Sequence, residues 1–185
     1  MERHRTHTKS KDIVAGTLLL AHPAMNDGNF HRAVILMSVH DKDGAMGVML
    51  NRPADKKLGS LTGDFALGPL ATVPVFHGGP VQDRQLILVA WESQPDGFRM
   101  HFGIEPDKAS ECLSEGMTVR AFLGYAGWTG GQLETELDRN TWVVAELPPD
   151  LITHEQDETL WRDVLGSQSV EWRLLADEPD DPALN

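Results

Sequence analysis

The chain has 185 residues, a net charge of −12 and a single cysteine, Cys112. That length suggests one domain able to bury a core unaided. One thiol excludes an intrachain disulfide and fits a reducing compartment. No apolar run nears the ~18 residues of a membrane-spanning helix, and no apolar segment follows the charged N-terminus, so a cytoplasmic protein is expected. Charge is uneven: residues 1–11 carry +3 and residues 150–185 carry −8. Nucleic-acid binding wants a basic patch, and none lies beyond the leader, so direct nucleic-acid binding is not expected.

Residues 1–11 lack an apolar pattern and read as a disordered basic leader. Residues 12–185 read as the domain, ending in an acidic tail. DIVAGTLLLAHP gives a short strand ending at Pro23. Asn26, Asp27, Gly28 and Asn29 are turn formers and open a polar loop. AVILMSVH and AMGVML are apolar runs separated by Asp43-Gly44, a strong hairpin signal. Asn51-Arg52-Pro53 closes the second run, because proline cannot donate to a ladder.

Residues 54–73 are mixed, with room for a short helix. VPVFHGGP predicts a strand running into a Gly-Gly-Pro turn, and QLILVA and FRMHFGI predict two more strands. PDKASECLSEG predicts a helix opened by Pro106 and stopped at Gly116. MTVRAFLGYAGW predicts a strand that enters a glycine-rich turn. GQLETELDRN predicts a helix with Leu133 and Leu137 on one face, stopped at Asn140. TWVVAEL predicts a strand and HEQDETLWRDVL an amphipathic helix. The total is about seven strands and three helices. Hairpins come early and helices late, which points to α+β with a mixed sheet.

Known catalytic signatures are missing. His154-Glu155 lacks the second histidine of a zinc helix, because Glu158 stands four residues on. Ser60 stands next to the first glycine of GSLTG, which is not a nucleophile elbow. There is no P-loop. Cys112, between Glu111 and Glu115, reads as a packing residue. Neither a metal nor a cofactor is expected, and no catalytic residue is assigned.

Four polar loops remain as candidate ligand-binding elements. In the first, Asp27 could serve as base or ligand and Arg32 as an anion clamp; the competing reading is a side-chain-stabilised turn. In the second, Asn51 and Arg52 could face a carboxylate or phosphate, or satisfy backbone at a strand end. In the third, His77, Gly78 and Gly79 form a turn with little side chain, which a ligand could approach; the competing reading is a plain turn with a structural histidine at its edge. In the fourth, Trp128 and Gln132 flank a glycine-rich turn opening a helix, where Glu134 already complements the dipole.

Together the segments GTLLLAHPAMNDGNFHRAVILMSVHDKDGAMGVMLNRP, VFHGGPV, GYAGWTGGQLETEL and TWVVAE resemble the AlgH/YqgE family of bacterial proteins. The resemblance runs from about Gly16 to Asn185. It implies an α+β fold around a mixed, partly barrel-like sheet and carries the family's frequent label of transcriptional regulator. It supplies no catalytic residues. The expected function is therefore binding of a protein or small-molecule partner, with an indirect effect on transcription. The alternative is an enzyme or small-anion-binding protein built on Asn51, Arg52, His77 and the Gly127–Gln132 turn. Oligomeric state is not legible.

Overall fold

The computed structural model describes residues 16–95, 97–151 and 155–179. The basic leader, the acidic end of the chain and the start expected for the last helix, at His154, lie outside the described residues. Nine strands are seen: β1 (Leu18–Ala21), β2 (Val34–Asp41), β3 (Gly44–Met49), β4 (Pro53–Lys57), β5 (Pro74–His77), β6 (Val81–Gln94), β7 (Gly97–Phe102), β8 (Thr118–Thr129) and β9 (Trp142–Ala145). Five helices accompany them: α1 (Leu58–Leu61), α2 (Pro106–Ser114), α3 (Gln132–Asp138), α4 (Glu158–Gln168) and α5 (Val170–Ala176). The fold is α+β, with one mixed sheet curled into a half-barrel.

The long strand β8 makes the curl. Its first half lies between β5, in parallel, and β6, antiparallel. Its second half pairs with β3. From β3 the sheet continues through β2 and β1 to β9, and β7 extends it beyond β6. Every pairing except β5–β8 is antiparallel. β1 sits between β2 and β9, and all four of its residues are buried. Leu18 and Leu20 point to one face, Leu19 and Ala21 to the other, as the two-residue period requires.

Three clusters form the core. The concave face carries Leu18, Leu36, Val48, Phe76, Val89, Trp91 and Phe122, and α4 closes it with Leu160, Trp161, Val164 and Leu165. Behind β1–β3 lie Trp128, Leu133 and Trp142. Behind β5, β6 and β8 lie Leu58 of α1 and Ala109 and Cys112 of α2. Cys112 is a buried free thiol.

Several sequence expectations change. Pro53, expected to stop a strand, instead begins β4. A proline is tolerated at the first position of an edge strand, and exposed Asp55, Lys56 and Lys57 carry no apolar signal to reveal it. α5 occupies a stretch whose sequence looks polar; Ser169 caps it by accepting from the Trp172 amide. β6 extends well beyond QLILVA, because its register shifts between Val81 and Leu86 and lets polar residues join the strand. The hairpin turn falls on Lys42-Asp43, since Asp41 pairs with Gly44. Gly44 is required for two reasons: its φ of 145° disfavours a side chain, and a Cβ there would overlap the Trp128 carbonyl.

Candidate functional site

Asn51 follows β3 and is 1% exposed, one of the two buried polar residues in the described core. Its Oδ1 accepts from the Val34 amide at 3.0 Å, and its Nδ2 donates to the Arg32 carbonyl at 2.8 Å. One side chain thus closes both backbone groups flanking the entry to β2. Arg32 needs that support, because its φ of 53° lies in the left-handed region. Its guanidinium stacks on Trp161 of α4, 5.1 Å from the ring centroid, and donates to the Glu178 carbonyl at 3.4 Å.

Arg52 donates to the His31 carbonyl and, at 3.5 Å, to the Asn51 carbonyl. Burial pushes its pKa down, and the nearby Glu158 carboxylate opposes that shift. The guanidinium is tied to backbone oxygens. It does not pair with Asp27, whose Oδ1 accepts from the amides of Asn29 and Phe30 in its own turn. The Arg52 carbonyl accepts from the His77 amide at 2.7 Å, and the Gly78 carbonyl accepts from the Met49 amide at 2.8 Å. Arg32, Asn51, Arg52, His77 and Gly78 therefore form one connected corner.

The Gly78-Gly79 turn leaves room for the chain itself. A Cβ at Gly78 would overlap the Gly124 carbonyl, and one at Gly79 would overlap the Tyr125 carbonyl. The space that glycine creates is filled by β8.

Trp128 and Gln132 stand elsewhere. Trp128 pairs with Ala45 at the start of β3, whereas Asn51 follows its end. The strand rise separates those backbone positions by roughly 20 Å. Here the organising group is Glu136 of α3, which sequence reading missed. Its Oε2 accepts from the indole N–H groups of Trp128 at 2.9 Å and Trp142 at 2.8 Å. Its Oε1 accepts from Gln132 Nε2 at 3.0 Å, and Gln132 Oε1 accepts from the Thr129 amide. The Trp128 and Trp142 rings meet edge to face at 5.9 Å. Beside them, His40 Nε2 lies 2.7 Å from Glu134 Oε1. Glu134 is held below the usual glutamate range, first by its own backbone N–H at the helix start and then by His40.

The whole architecture matches known proteins. The profile of the AlgH-like family (DUF179) covers residues 18–173. This chain belongs to the AlgH-like family. A UPF0301 protein of Streptomyces coelicolor is 40% identical, over 93% of this chain and 95% of that protein. A UPF0301 protein of Chlorobium luteolum is 30% identical, over 95% and 96%. Among solved structures, the solution structure of AlgH from Pseudomonas aeruginosa is similar with a TM-score of 0.64 and 27% identity, over 98% of this chain and all of that one. The crystal structure of DIP2367 from Corynebacterium diphtheriae shares the fold with a TM-score of 0.70 at 24% identity, over 96% and 95%.

Two clefts on this AlgH-like chain are lined by none of the nine candidate residues, although the second reaches Pro53 and Phe76, the chain neighbours of Arg52 and His77. One, of about 290 Å³, is lined by Met46, Ile87, Phe102 and Gly103 among others. The other, of about 450 Å³, runs along β4 and β5 past Lys57, Ser60, Pro74 and Phe76. Near this second cleft is a residue that no motif singles out. Arg120 of β8 stacks between Trp91, at 5.2 Å, and Phe76, at 5.7 Å. Its only sequence signal is a cation inside an apolar strand. Among the described residues, no group of three or more His, Cys, Asp or Glu side chains is placed to hold a metal ion. No helix among them is long and apolar enough to cross a membrane.

Proposed function

We propose that this AlgH-like chain is a cytoplasmic binding protein that affects gene expression indirectly, through a protein or small-molecule partner. The observation carrying this reading is where the signature side chains direct their hydrogen bonds. Asn51, Arg52, Trp128 and Gln132 each donate to an acceptor of the chain itself. A catalytic or anion-binding centre needs donors aimed at an outside atom. Groups already committed to backbone and carboxylate acceptors support a scaffold role, so the alternative of an enzyme at Asn51, Arg52, His77 and the Gly127–Gln132 turn gains nothing from this geometry. The surplus of 28 acidic over 16 basic residues supports an indirect route over direct contact with DNA.

A mobility-shift titration with duplex DNA, run at low and at physiological salt, tests the indirect route. The expected result is no discrete complex at either salt. A tight complex that weakens steeply with salt would make the protein a direct DNA binder. A thermal-shift screen with nucleotides, phosphates and carboxylates tests the small-ligand branch, because a ligand selective for the folded state raises Tm.

A further inference from the structure

The concave face of the half-barrel carries a cation with no counter-charge. Among the described residues, the Arg120 guanidinium makes no hydrogen bond and no ion pair; it lies over two aromatic rings. Beneath it, Trp91 is 1% exposed, and its indole Nε1 has no acceptor. Arg120 is half-buried, and a half-buried guanidinium beside a buried N–H, neither with an acceptor among the described residues, gives up hydration that the fold replaces only in part. Two such donors at one place make a position suited to an acceptor from outside the chain.

The sheet register extends this position towards the second cleft. Arg120 pairs with Val89, and Val89 with Phe102. On the other side, Ala121 pairs with Val75, which puts Pro74 in line with Arg120, and Pro74 pairs with Lys57. Residues in one cross-strand row share a face. Lys57, Pro74, Arg120, Val89 and Phe102 therefore form one row. Lys57, Pro74 and Phe76, the ring under Arg120, also line the cleft of about 450 Å³. Two lysines, Lys56 and Lys57, and one carboxylate, Asp55, complete its charged lining. With Arg120 added, cations exceed carboxylates by two.

We propose that this region is a binding site for a small aromatic molecule carrying a phosphate group, with Arg120 as the anion-recognising residue. The phosphate lies against the guanidinium. Lys57 adds a second positive charge, and the ring of the ligand packs along Phe76 and Pro74. A phosphate monoester carries about −1.5 to −2 at neutral pH, which matches the local surplus better than a carboxylate does. Guanidinium forks suit phosphate oxygens, and the flanking rings hold the fork without consuming its donors. Burial pushes the Arg120 pKa down to about 10, so the cation is still present at neutral pH and is poorly solvated, as an anion receptor should be. The site specifies a ligand for the binding role proposed above and rests on that reading.

The test is an NMR titration of the ¹⁵N-labelled full chain with phenyl phosphate, benzoate and inorganic phosphate as probes. The five tryptophans give separate indole resonances, and Trp91→Phe assigns the one that matters. Phenyl phosphate should shift the Trp91 resonance saturably. Benzoate and inorganic phosphate should bind more weakly, for want of charge and of a ring respectively. Arg120→Met should weaken phenyl phosphate by roughly tenfold or more, and Lys57→Ala by a smaller factor. Unchanged positions of the other indole resonances establish that the variants are folded. A flat Trp91 titration, or equal affinity in Arg120→Met, overturns the site while leaving the indirect binding role standing. Tighter binding of benzoate overturns the choice of phosphate. Conversely, a tight DNA complex in the mobility-shift assay would remove the indirect role without altering the outcome of this titration.

Discussion

Arg52 and Arg120 are both depressed in pKa by burial, and they do opposite things with their charge. Arg52 sits at the corner where three loops meet, donates to the carbonyls of His31 and Asn51, and feels the Glu158 carboxylate. Arg120 sits on the concave face between two rings and donates to nothing among the described residues. The first arginine holds loops together. The second holds a donor ready. A family signature and a binding position are thus separate regions of this molecule: the most distinctive loops in the sequence are those most fully occupied by their own hydrogen bonds.

That contrast can be broken from the scaffold side. Gly79→Ala has the largest expected effect, a loss of about 4 kcal/mol, because its Cβ would overlap the backbone of Tyr125. Urea denaturation checks it. A Gly79→Ala chain as stable as the parent would mean the turn is open enough for a ligand after all. Asn51→Ala comes next, at about 3 kcal/mol, because it strands the Val34 amide and the Arg32 carbonyl in the interior. Little loss there would remove the clamp from the account.

A smaller effect sharpens the contrast through pH. The Glu134 carboxylate is stabilised in its ionised form by its own backbone N–H and by His40. Its folded pKa lies below the unfolded one, so its contribution is present above the ordinary glutamate pKa and is lost as pH falls through the folded value. Glu134→Gln should cost up to about 1 kcal/mol at neutral pH, given its partial exposure. The difference from the parent should shrink as the pH falls below the ordinary glutamate range and vanish once the folded-state carboxyl is protonated. A gap that persists in acid would trace the cost to packing and not to charge.

Much of the fold was legible, for identifiable reasons. The β2–β3 hairpin showed as two apolar runs around a turn. α2 showed through Pro106 at its start and through Gly116, whose φ of 86° ends it. β4 and α5 were hidden because the edge strand carries charge and α5 leaves Val170 and Leu174 exposed, so neither shows a buried stripe. The signature loops could be found but not interpreted. Whether Asn51 and Arg52 face a ligand or the backbone depends on where residues 31–34 fold back, a contact across some twenty positions of sequence. Glu136 was invisible as a hub because Trp128 and Trp142 reach it from different strands. Arg120 was invisible because its rings, Phe76 and Trp91, arrive through the parallel β5 pairing and the antiparallel β6 pairing, and neither register can be read from local pattern.

The most direct measurement is a pair of urea denaturation curves, Arg52→Met beside Arg120→Met, without added ligand. Arg52→Met strands the His31 carbonyl and should lose about 2 kcal/mol. Arg120→Met keeps a flexible apolar side chain against Phe76 and Trp91 and removes a partly desolvated charge, so its stability should stay within about 0.5 kcal/mol of the parent or rise. Equal losses in the two variants would contradict the account, because Arg120 would then be a structural tie like Arg52 and not a donor held for a ligand.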